Sequence, residues 1–125
     1  MAYLFVAVGG GLGSIARYGC ARWVGSWGAA LPYGTFLVNL IGSLVLGYLF
    51  EVCANRSFLG ADARIFLGTG LMGGFTTYSS FSVETVLLVQ RGEPLRALLY
   101  ACATVGLCLV ASASGLAVGR AFQRL

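Results

Sequence analysis

A chain of 125 residues that is 58% hydrophobic and only 10% charged, with a mean hydropathy of +0.87, is not an ordinary soluble domain, which carries about a quarter charged residues. Its formal charge of +4 comes from eight arginines against four acids, with neither Lys nor His. The arginines sit at the ends of apolar runs rather than on one basic face, which points to interfacial anchoring and away from a nucleic-acid partner.

Charge-free runs cover residues 1–16, 23–50, 65–83 and 97–119. A membrane-crossing helix needs about 20 apolar residues at about 1.5 Å each. The runs therefore predict an all-α membrane protein with four transmembrane helices, a single domain over residues 1–125 with almost nothing left over for a soluble part.

The first span is predicted over residues 2–22, with Arg17 and Arg22 toward an interface. It has no basic leader, Gly9, Gly10 and Gly11 interrupt its apolar stretch, and no small-x-small cleavage site ends it, so it reads as a span and not as a signal peptide. Gly9 and Gly13, and Gly10 and Ser14, stand four apart, the spacing that lets two helix backbones approach in lipid.

The second span is predicted over residues 32–53, after a short connection at 25–31. Thr35, Asn39 and Ser43 recur at intervals of four and share one helix face.

The third span, over residues 63–90, is the unusual one. It starts as an apolar helix, is expected to break at Gly73-Gly74, and resumes as a run of hydroxyls and aromatics. Irregular backbone at membrane depth is tolerated where protein buries it or where it lines a watery path. Beyond the break Tyr78 and Phe81 share a face, with Thr77, Ser80 and Glu84 beside them. Gly68, Gly70 and Gly73 match a dinucleotide-binding fingerprint in letters alone, because that motif works at a strand-to-helix turn this chain has no room for.

Arg91, Gly92 and Glu93 make the last turn, and Pro94 opens the fourth span, predicted over residues 94–118. Tyr100, Thr104, Cys108 and Ser112 form its polar stripe, and Ala111, Gly115 and Gly119 a small-residue stripe. Cys20, Cys53, Cys102 and Cys108 have no metal-ligand spacing and read as small packing residues.

Three coordinated polar stripes describe a track across the bundle. Asn offers amide N–H groups, Ser, Thr and Tyr offer O–H groups, and aromatic rings present positive edges. A cation route would more often carry acid rings or ordered carbonyls. A donor-rich track with no fixed cation at mid-depth suits a small, strongly hydrated anion. With no His, no Cys pair and a single interior acid, Glu84, the sequence is not that of an enzyme.

Four spans place Arg56, Arg64, Arg120 and Arg124 on one side and Arg22, Arg91 and Arg96 on the other, with Arg17 close to the second group. Orientation follows Lys/Arg excess, and here there is hardly any. Insertion in both directions, and hence an antiparallel dual-topology homodimer, is the expectation.

The stretches GGGLGSIARY (9–18), PYGTFLVNLIGSLVLG (32–47) and GLMGGFTTYSSFSVE (70–84), in this order and spacing, closely resemble the Fluc (CrcB-type) fluoride channels over nearly the whole chain. The resemblance implies two subunits in opposite orientations in a bacterial-type plasma membrane, passing fluoride passively out of the cytoplasm. It places the pore asparagine on Asn39 and the two pore aromatics on Tyr78 and Phe81, with Tyr in place of the family's more usual first Phe. It sets the polar track on Tyr100, Thr104 and Cys108, with Thr35 and Glu84 near the exit end, and the vestibule arginine on Arg17. It further implies a structural sodium ion held at the dimer centre by the backbone carbonyls of Gly73 and Thr76. The alternative is a proton-coupled transporter of the small multidrug-resistance type, also with four spans; such proteins use an acid in the first span, which has no Asp or Glu here.

Overall fold

The computed structural model describes residues 1–26, 30–54 and 59–125, and among them every regular element is helical. In chain order these are α1 (Ala2–Gly25), α2 (Tyr33–Ala54), α3 (Ala61–Arg64), a π-helical stretch (Ile65–Met72), α4 (Gly73–Phe75), α5 (Tyr78–Gln90) and α6 (Pro94–Gln123). Helices α1, α2 and α6 are long and apolar enough to cross a membrane. The connection expected at 25–31, and the one that carries Arg56 between the second and third predicted spans, fall partly outside the described residues.

The third predicted span is in two pieces, and the break lies elsewhere than expected. Gly73 and Gly74 are helical; the chain leaves the helix at Thr76 (φ −81°, ψ 157°) and Thr77 (φ −152°, ψ 113°). The reason is competition for backbone groups. Thr77 N–H would close the last turn onto Gly73, but it donates to Asn39 Oδ1 at 2.7 Å. The helix restarts at once, because Thr77 Oγ1 accepts from Ser80 N–H at 3.2 Å and caps α5.

Two pairs of helices make the bundle. The continuous front half of the broken helix, residues 61–75, lies along α1, and α2 lies along α6. Glycine makes both contacts possible. A Cβ on Gly13 would meet the Leu71 carbonyl and come within 2.9 Å of Phe75 N, and one on Gly115 would meet the Leu44 carbonyl and come within 2.8 Å of Tyr48 N. Backbone touches backbone at these points, as dispersion packing in lipid requires. The small-residue stripes are thus used within one chain.

The rear half, α5, ends in a Schellman turn: Glu93 N–H donates to Leu88 O and Gly92 N–H to Val89 O, both at 3.0 Å, with Gly92 at φ 77°. Pro94 then opens α6 at its first turn. Helix α6 runs five residues past its predicted end at 118. Arg120 reaches Glu51 at 3.2 Å, Gln123 donates to Glu51 O at 2.6 Å, and the Phe122 ring meets Tyr48 edge-on at 6.2 Å, which ties its last turn to the end of α2.

Candidate functional site

The break gathers three helices around its exposed peptide groups. Asn39, about a third of the way along α2, grips Thr77 with both ends of its amide: Nδ2 donates to Thr77 O at 2.9 Å while Oδ1 accepts from Thr77 N–H. Arg17 Nη1 donates to Thr76 O at 3.3 Å, and Thr76 N–H still reaches back to Met72 O at 3.0 Å. Polar backbone that would be costly in lipid is thereby satisfied by side chains from α1 and α2.

Arg17 is directed at the break, a contact that its spacing in α1 does not announce, and it brings a fixed cation beside the irregular backbone. It lies behind the wall of the groove at Thr76 rather than inside it, since the groove is lined by Thr76 and not by Arg17.

That groove, of about 550 Å³, runs between α2, the break and α6. Asn39, Tyr78, Phe81 and Thr104 all line it, as do Ser43, Cys108 and Ser112, so the polar faces of α2 and α6 do converge. Phe81 is buried (8% exposed) and Tyr78 is open (78%), and their rings stand 5.6 Å apart at 58°. Phe81 also meets Tyr100 at 5.4 Å and 51°. Such tilted contacts turn ring edges, which are positive, toward neighbouring space.

One group in this wall is unsatisfied. Thr104 is 5% exposed, and its Oγ1 is the one buried side-chain polar atom without a hydrogen-bond partner among the described residues. Buried hydroxyls are almost always paired, so an orphan facing a groove asks for a ligand or water.

Thr35, Glu84 and Tyr100 form a second cluster, one turn along α2 from Asn39. Thr35 Oγ1 donates to Glu84 Oε1 at 2.7 Å and the Tyr100 hydroxyl donates to Oε2 at 2.8 Å. Thr35 and Glu84 border a smaller cavity of about 170 Å³ between the ends of α1 and α2, and Tyr100 stands between the two spaces, buried against Phe81. Gly73 is on the exposed side of the break and outside the groove.

Sequence reasoning placed Thr77 beside the aromatics but missed its peptide as the partner of Asn39, although the Thr77-x-x-Ser80 cap spacing marks a helix start. No cluster of His, Cys, Asp or Glu suited to a metal occurs among the described residues, and the four cysteines are free.

These features define a helical membrane protein with a groove at a helix break, largely apolar in its walls and bearing a few amide and hydroxyl side chains. The chain belongs to the CrcB-like family: the family model described as CrcB-like protein, Camphor Resistance (CrcB), matches residues 4–116. It is 46% identical over 122 residues to the fluoride-specific ion channel FluC of Allorhizobium ampelinum, covering 94% of each chain. It is also 46% identical over 120 residues to the FluC of Thermus thermophilus, covering 95% of this chain and 94% of the relative. Against FluC 2 of Nitrobacter hamburgensis the identity is 44% over 124 residues, with 96% and 98% covered. The family match leaves the multidrug-transporter alternative without support.

Proposed function

We propose that this protein is a fluoride channel and not an enzyme, and that residues 1–125 form a single channel domain with a four-span fold in which the broken helix is the third crossing. The observation that carries the reading is the buried, unpaired Thr104 hydroxyl in a groove shared with Asn39, Tyr78 and Phe81. Full-length relatives named as fluoride-specific channels support the choice of ion.

Fluoride holds its water strongly, so a route must replace that water without trapping the ion. In this reading the Thr104 hydroxyl and the amide hydrogen of Asn39 not given to Thr77 donate to it, and the edges of Phe81 and Tyr78 contribute weaker, diffuse attraction. The Tyr100 and Thr35 hydroxyls carry the route onward beside Glu84. Export is passive: neutral HF diffuses into the cell and dissociates, and an inside-negative plasma membrane drives the anion out by about 2.3 kcal/mol per 100 mV.

The near-balance of arginines supports an antiparallel homodimer in that membrane. A structural sodium ion belongs to the same proposal. The Gly73 carbonyl has lost Thr77 N–H as its helical partner, and among the described residues Thr76 O accepts one long hydrogen bond, from Arg17. Oxygen-only donors at the C-terminal end of a half-helix suit a hard cation, and Gly73 and Thr76 would hold it.

The test is release of fluoride or chloride from liposomes containing the purified protein, followed with ion-selective electrodes. Rapid fluoride release with chloride retained is expected. Absent fluoride release, or equal release of both ions, defeats the assignment.

A further inference from the structure

A second space of about 530 Å³ adjoins the groove and has no part in the mechanism above. It is lined by the end of α2 and the start of the broken helix, and it shares Leu46 and Phe50 with the groove. Asn39, Ser43, Leu46, Phe50 and Cys53 follow one another at three- and four-residue steps and so lie along one face of α2. That face leads from Asn39 to the helix end, about 21 Å away at about 1.5 Å per residue. The two spaces are consecutive stretches of one trough.

Among the described residues that line either stretch, Arg64 is the one with a charge. Its Nη1 donates to Cys53 O at 3.2 Å, its one hydrogen bond among the described residues, so most of its donors are unused. Arg64 is half-buried among Leu46, Leu49, Phe50 and Leu67. Low-dielectric walls of that kind focus the field of a charge along the cleft and raise the local concentration of its counter-ion.

We propose that this outer stretch is an anion vestibule, and that Arg64 draws fluoride into the trough toward Asn39 and Thr104. The proposal rests on the channel reading and adds to it the residue that loads one end of the route. Arg64 is a steering group: it acts on the approach of the ion and takes no part in its passage past Phe81.

Single-channel fluoride current in bilayers of neutral lipid tests this, with ionic strength set by an impermeant salt. One unit charge at about 10 Å in water biases local anion concentration about twofold. The screening length falls from about 30 Å at 0.01 M to about 3 Å at 1 M. Arg64→Gln is expected to lower the current about twofold at the low ionic strength and to match the parent at the high one, while Arg64→Lys keeps the parent current at both. Thr69→Asp, which adds a carboxylate at an exposed position of the same wall, is expected to lower the current with the same salt dependence, and it carries the test if Arg64→Gln does not fold. A loss in Arg64→Gln that is equal at both ionic strengths assigns Arg64 to tying the broken helix to Cys53, and overturns the vestibule. So do variants that match a conducting parent under both conditions. A parent that carries no fluoride overturns the channel reading itself.

Discussion

The two halves of the broken helix are held by different physics. Residues 61–75 rest against α1 through glycines, with backbone against backbone at Gly13 and Leu71 and at Gly9, where a Cβ would stand 2.6 Å from Phe66 O. The rear half, α5, has polar and aromatic ties instead: Asn39 to Thr77 at its start, Thr35 and Tyr100 to Glu84 about two turns on, and Phe81 against Tyr100. The front half is positioned by shape and the rear half by a few directional bonds. The half beside the groove is thus the one whose side chains can be altered without dismantling the bundle.

Breaking the first kind of contact has the largest expected effect. Gly13→Val puts atoms where the Leu71 carbonyl and Phe75 N already stand, and because both are backbone they cannot swing away. Overpacking costs about 1–3 kcal/mol when side chains can yield, and more is expected here. The purified variant should lose its single size-exclusion peak and its thermal transition. A monodisperse variant of parental melting temperature would show that the front half is not set by this contact.

Asn39→Ala breaks the second kind. It leaves the N–H and C=O of Thr77 without partners, about 1–3 kcal/mol for each group. The front half keeps its glycine packing, so the protein should stay folded with a lowered melting temperature, while fluoride release from liposomes falls at least tenfold because α5 no longer starts in register. A folded variant with undiminished release would remove Asn39 from both roles.

The same difference decides what could be read from the residues alone. Helices α1, α2 and α6 were legible because membrane helices announce themselves by length and composition. The position of the break was not. Gly73 and Gly74 are poor helix formers, but close packing on α1, where Gly74 faces Gly10, keeps them helical. The chain departs at Thr76 because a side chain 38 residues away takes the next N–H. That contact exists only after α2 and the broken helix have packed. For the same reason the convergence of Asn39, Phe81 and Thr104 followed from helical periodicity, whereas the direction of Arg17 did not. A long side chain on α1 reaches Thr76 because residues 61–75 lie so close to α1, and spacing within α1 has no record of that approach. The end of α6 was set too early for a related reason, since Arg120 and Gln123 find their partner on α2, at Glu51.

The smallest change sharpens the contrast most. Thr104→Val replaces a hydroxyl with a methyl of nearly the same shape, at a position where the hydroxyl has no hydrogen-bond partner among the described residues. An ordinary buried hydroxyl would lose about 1 kcal/mol of net hydrogen bonding on removal, whereas an orphan has none to lose and its burial had been unfavourable. The melting temperature should therefore stay constant or rise slightly. Fluoride release should nonetheless fall several-fold, because the donor removed is the one free to face the ion. A fall in stability with release unchanged would mean that Thr104 has a structural partner, and the groove would lose the group that most directly asks for an anion.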